Sequence, residues 1–225
     1  YTPSGKGKTT EKEFIFDSSG PSINARVLKA DTYTENQTVS VYATDKAGVK
    51  EGFGEIVNPD GSKISGNKEF ALTTADDMIS QNVDISGIPS GAYALSVRAT
   101  DKNDIESSDK SGKFFIRNEA PESEVSVVSD ITYNDKPMIS KNTYKLKLNV
   151  SEKFKNASEA GKQVLYYRVS DKADSFGEWI YAGEMEVSGD SFKLNTTVNV
   201  PTSAPMNGAN YRFVQTAVYP GNYSP

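Results

Sequence analysis

Apolar and polar residues alternate along most of this chain. Val39, Val41 and Ala43 alternate with Ser40, Tyr42 and Thr44 before the turn Asp45-Lys46-Ala47-Gly48. Tyr93, Leu95, Val97 and Ala99 alternate with Ala94, Ser96, Arg98 and Thr100 and run into Asp101-Lys102. Tyr144, Leu146, Leu148 and Val150 alternate with Lys145, Lys147 and Asn149; Phe192, Leu194, Thr196, Val198 and Val200 form a further series. A period of two, bounded by Gly, Asn, Asp and Pro, predicts half-buried antiparallel strands. Strands are expected near residues 22–28, 38–43, 52–57, 69–73, 82–86, 93–100 and 113–117. A second run is expected near 124–128, 144–150, 164–169, 178–181, 191–200 and 211–218. Residues 151–161 lean toward helix but are short and mostly polar, so they read as a loop with at most one helical turn.

Seven short strands at this spacing fit an immunoglobulin-like sandwich. The expected fold is therefore all-β, two tandem antiparallel sandwiches, the second lacking its last strand. A recurring phrase sets the boundaries. Phe14-Ile15-Phe16, a break and Gly20-Pro21-Ser22 return 100 residues later as Phe114-Phe115-Ile116, a break and Ala120-Pro121-Glu122. The second triplet closes a run of strands, and Pro121 opens the next. By analogy residues 1–16 read as the closing strand of a preceding repeat, or as a strand donated to a neighbouring copy. Residues 17–118 are then the first sandwich and 119–225 the second, incomplete one. Pro121 holds the residue before it extended, which predicts a stiff junction. Phe14, Ile15 and Phe16, with Tyr211 and Phe213 on the last predicted strand, are the expected assembly residues.

The halves also correspond internally. Gly91-Ala92-Tyr93 leads six residues on to Ala99, and Ala209-Asn210-Tyr211 leads six residues on to Ala217, although Gln215 then takes the slot of Val97. A Tyr opening the penultimate strand can return its hydroxyl to the preceding corner. The stretch Ile88-Pro89-Ser90-Gly91-Ala92-Tyr93-Ala94-Leu95-Ser96-Val97-Arg98-Ala99-Thr100-Asp101 resembles the penultimate strand of bacterial immunoglobulin-like repeats of large surface or secreted proteins. Tyr166-Tyr167-Arg168-Val169 with Gly177-Glu178-Trp179 is similar to the central hairpin of the same group. The resemblance implies spacer, adhesive or assembly modules outside the cell.

Composition narrows the function classes. The net charge is −5 with both signs interspersed, unlike the clustered basic footprint of a nucleic-acid binder. No apolar run reaches the ~20 residues of a membrane span. The chain has no Cys and no His, which removes disulfides, thiolate nucleophiles and the commonest general base and metal ligand. No nucleophile–base set can be assembled from what remains, so an enzyme is not expected. Gly7-Lys8-Thr9 matches the end of a phosphate-binding loop, but Thr2 stands where that loop needs Gly and the following residues read as strand.

Two weaker candidates remain. Asp101 and Asp104 follow the penultimate strand of the first sandwich, and Asn118 and Glu119 lie at the junction, as oxygen donors for calcium. Their spacing fits no continuous calcium loop and Lys102 and Lys110 lie close in sequence, so no cofactor is expected and calcium is the alternative. Tyr167, Trp179 and Tyr181 could contact sugar rings, but a single Trp in a sandwich is more often a core anchor, and Trp179 is expected to be one. Alternation sets Tyr166 and Tyr167 on opposite faces, so one of them belongs to the core. The leading expectation is a structural repeat of an extracellular surface protein or filament, whose partners are its own copies or adjacent repeats. An adhesion module binding carbohydrate or protein, or an accessory region of a secreted enzyme, is the alternative.

Overall fold

The computed structural model describes residues 11–14, 16–28, 36–66, 69–73, 78–138, 143–170, 174–201, 213–222 and 225. Among the described residues the chain is all-β apart from one 3-10 turn, Ala157–Glu159. No described helix is long and apolar enough to cross a membrane.

Two cores organise the strands. The first lies between a sheet of order β1-β2-β5 and one of order β4-β3-β6-β7. Here β1 is Ser22–Leu28, β2 Asn36–Thr44, β3 Val49–Val57, β4 Phe70–Leu72, β5 Met78–Asp84, β6 Gly91–Asp101 and β7 Glu106–Lys110. Ala25, Val39, Val41 and Val83 of one sheet meet Ile56, Tyr93, Leu95 and Val97 of the other. Of these, Val39, Val41, Tyr93, Leu95 and Val97 are residues that alternation assigns inward. β8, Phe114–Ile116, pairs with the start of β6 (Gly91↔Ile116, Tyr93↔Phe114), while β7 pairs with its second half (Ser96↔Lys110 to Thr100↔Glu106). Buried Ser111 sutures the gap, its hydroxyl accepting from the Leu95 amide and its own amide donating to the Leu95 carbonyl, both at 2.9 Å.

The second core lies between sheets of order β15-β16-β12-β9 and β14-β13-β17. β9 is Glu122–Val128, β12 Thr143–Lys153, β13 Gln163–Ser170, β14 Ile180–Glu184, β15 Glu186–Val187, β16 Ser191–Pro201 and β17 Phe213–Pro220; β10 (Thr132–Tyr133) and β11 (Lys136–Pro137) form a small separate hairpin. Tyr144, Leu146, Leu148, Val150 and Phe192 face Leu165, Tyr167 and Val218.

Several features differ from the sequence expectation, among them the unexpected hairpin β10–β11 and strand β15, and β5 and β14, which are displaced from the strands expected near 82–86 and 178–181. β7 (Glu-Ser-Ser-Asp-Lys) carries no apolar signal; it is held by its backbone ladder to β6. The stretch expected as a loop begins as strand, because β12 runs on to Lys153 before the single turn at Ala157–Glu159. The internal alignment through Ala99 and Ala217 is out of phase. β17 turns Val214 and Val218 to the core and leaves Gln215 exposed, whereas β6 turns Tyr93, Leu95 and Val97 inward. The misfit of Gln215 with Val97 was the sequence sign of that slip. Tyr93 behaves as expected: it is fully buried, and its hydroxyl donates to the Pro89 carbonyl at 2.8 Å. Tyr211 lies outside the described residues.

Candidate functional site

The best-built polar site joins the two cores. Arg117 follows β8 and pairs with Glu152 near the end of β12, Nε to Oε1 at 2.5 Å and Nη2 to Oε2 at 3.1 Å. The same guanidinium donates to Gln163 Oε1 at 3.0 Å and to the Val218 carbonyl at 3.1 Å, and lies over the Phe154 ring. Glu152 is 1 % exposed; burial pushes its carboxyl above the usual range, with Arg117 pulling it back only in part. Around this pair the backbones are stitched: the Ala92 amide donates to the Lys155 carbonyl, and the Lys155 amide to the Ser90 carbonyl. Gly91 is required here, since a Cβ would sit 2.8 Å from the Lys155 oxygen. Phe115 of β8 packs against the second core, its ring 6.5 Å from that of Phe154.

The sequence-predicted residues of the link serve this junction. The Asn118 side-chain amide donates to the Ile85 and Ile88 carbonyls at 2.8 Å, and the Asn118 and Glu119 amides both donate to Ser90 Oγ. Neither is brought to Asp101. Asp104, the other calcium candidate, pairs with Lys50 on the surface.

Asp101 is placed differently. It is fully buried at the end of β6 and shares a cluster with Asp17 and Asp45, one carboxylate oxygen from each lying within 4.8 Å of the others. The Ser19 amide beside Asp17 holds that carboxyl below its ordinary value. Spacing could not reveal the group, because its members are 28 and 56 residues apart.

The assembly candidates are split. Phe14 and Phe16 are each 82 % exposed and belong to no strand, although the same pattern in β8 buries Phe114 and Ile116. Ile15 lies outside the described residues. Phe213 starts β17 opposite Ser170 and is 39 % exposed. Among the described residues β17 pairs only with β13, so its outer edge is open where β6 carries β7 and β8.

The aromatic candidates divide between two faces. Tyr167 is 2 % exposed and belongs to the second core, so it is out of reach of a sugar. Trp179 is not the core anchor expected. It precedes β14 and lies on the outer face, with Arg168 stacked on it at 4.4 Å and Tyr219 edge-on at 6.3 Å. Tyr166 meets both Tyr181 and Tyr219 edge-on at 5.8 Å. These rings form a row on the β14-β13-β17 sheet that sequence reasoning reached only in part, missing Tyr219. In the first unit, a cleft of about 680 Å³ is lined by Ile56, Phe70 and Val83 with Gln81 and Asp84.

No family model matches the chain, and no curated protein does. Among solved structures it is similar to a tetra-tandem repeat in the extending region of a large adhesion protein, with 16% identity and a TM-score of 0.38 over 90% of this chain. The chain spans half the length of that structure. It is also similar to a β-sandwich carbohydrate-binding module described for promiscuous specificity, with 10% identity and a TM-score of 0.33 over 90% of this chain and 97% of that one.

Proposed function

We propose that the chain is a structural repeat unit of an extracellular surface protein or filament, assembling end to end. In this reading residues 17–118 and 119–225 are immunoglobulin-like modules, and the segment containing Phe14 and Phe16 closes the sandwich of a preceding copy or repeat. The observation that carries it is the pairing of a deficit with a surplus: among the described residues β17 has an open outer edge, and Phe14 and Phe16 of the β8-like phrase are exposed and belong to no strand. Strand order supports the module reading, since β1-β2-β5 in the first unit matches β9-β12-β16 in the second, and β4-β3-β6 matches β14-β13-β17. An open edge and an exposed apolar phrase are liabilities alone and complementary together.

The test is a fusion of two copies in which the downstream Trp179 is replaced by Phe, so that fluorescence reports only the upstream second module. Its unfolding midpoint should exceed that of a single copy, and Phe14→Ser with Phe16→Ser in the downstream copy should abolish the gain. Equal midpoints in all three proteins would refute the assignment. A second reading, an adhesion module, is favoured by the row Tyr181, Tyr166, Tyr219 and Trp179. Quenching of Trp179 by a soluble polysaccharide, lost in Tyr181→Ala, would support it.

A further inference from the structure

We propose that Asp17, Asp45 and Asp101 form a calcium site that clamps the segment entering the first sandwich. The three carboxylates come from three separate places: the lead-in to β1, the turn after β2 and the end of β6. Oxygens that share one calcium at about 2.4 Å stand no more than about 4.8 Å apart, and these three satisfy that limit. Among the described residues, none of the three has an ion-pair partner.

An independent observation lies in Asp101 itself, which is 0 % exposed. Its Oδ1 accepts from the Asn103 and Ile105 amides at 2.8 Å, while Oδ2 is buried without a hydrogen-bond partner and is the oxygen left to face Asp17 and Asp45. A buried carboxylate oxygen without a donor is costly unless a cation meets it. Flexible oxygen coordination suits calcium over magnesium, which demands a tight octahedron.

The second module shows what belongs at this position. β1 pairs Ser22 with Thr44, and β9 pairs Glu122 with Ser151, so Asp45 and Glu152 are equivalent, each one residue beyond the matched pair. Asp17 likewise follows the apolar phrase as Arg117 does. Where the second module places a guanidinium against its carboxylate, the first places among the described residues three carboxylates and the neutral Asn103 amide, which donates to Asp17 Oδ2 at 3.3 Å, and the metal supplies the missing positive charge. The site lies within one chain, so its test is independent of assembly.

Calcium chloride is titrated calorimetrically into the full chain stripped with chelator, and thermal melts are run with and without the ion. One calcium per chain is expected, with a dissociation constant of about 10⁻⁴–10⁻³ M and weaker binding of magnesium. Saturation should raise the melting midpoint by about 5–10 °C. Asp45→Asn and Asp101→Asn should lose binding at least tenfold; Asp45, in a partly exposed turn, keeps the test valid if the Asp101 variant fails to fold. Asp17→Arg should melt above Asp17→Asn in chelator and ignore calcium. No heat and no shift at about 10 mM calcium, or wild-type binding by Asp45→Asn or Asp17→Arg, would overturn the proposal. So would a pH-dependent midpoint that is indifferent to calcium, the mark of two carboxyls sharing a proton.

Discussion

Replacing Tyr93 by Phe removes one hydroxyl from a fully buried ring and leaves the Pro89 carbonyl without its 2.8 Å donor. At neutral pH the loss should be about 1 kcal/mol, the net worth of one such bond. Alkaline pH supplies a second arm. Burial, with the charge of Asp190 adding to it, pushes the Tyr93 hydroxyl up to about 12 from 10.0. The folded state keeps this proton while the unfolded chain releases it, so the stability it confers is complete below pH 10 and is lost as pH rises through about 12. A shift of this size corresponds to about 3 kcal/mol when fully expressed, and roughly 2 kcal/mol at pH 12. The Phe variant lacks this loss. The difference between wild type and variant should therefore shrink above pH 10, cross zero about a unit higher and reverse by roughly 1 kcal/mol at pH 12. Urea unfolding followed by far-ultraviolet circular dichroism at matched pH values measures it, and the subtraction cancels the titration of the other tyrosines and lysines. A difference that stays constant from pH 8 to roughly 12 would refute the buried, protonated hydroxyl.

Other outcomes follow from the junction. Arg117→Leu strands Glu152 in a buried site and should cost about 3 kcal/mol in denaturant unfolding, much of it recovered when Glu152→Leu is added. Glu152 holds its proton more tightly folded than unfolded, so its contribution is complete at low pH and is lost as pH rises from the ordinary carboxylate range through the raised value; Glu152→Gln should flatten that slope and Arg117→Leu steepen it. Phe115→Ala should cost about 2 kcal/mol and split a single thermal transition into two in calorimetry, because the ring links the first unit's closing strand to the second core.

The strands were legible where one face of a sheet is buried. In β12 Tyr144, Leu146, Leu148 and Val150 are buried while Lys145, Lys147 and Asn149 are exposed, so period two was decisive. β7 was silent because an edge strand held by its backbone needs no apolar side chain. β17 misled the internal alignment because a Tyr followed six residues on by Ala occurs in both halves while the inward phase differs. The Arg117–Glu152 pair and the aspartate cluster gave no spacing signal, since contacts across a sandwich join residues tens of positions apart. One trace was visible: Ala-Thr-Asp-Lys occurs at residues 43–46 and again at 99–102, each time at the end of an alternating strand. Both of its aspartates reach the cluster.

Ser90 has a mechanical consequence. Its single hydroxyl accepts from two consecutive amides of the link, Asn118 and Glu119, while the Asn118 side chain grips two carbonyls of the turn before β6. A link fastened this way has no slack to pay out. Under tension it cannot lengthen by rotating a few backbone angles; these bonds must break before the joint gives. A pulled array of such units would keep its length up to a threshold load and then yield, and a Ser90→Ala change would lower that threshold without touching either core.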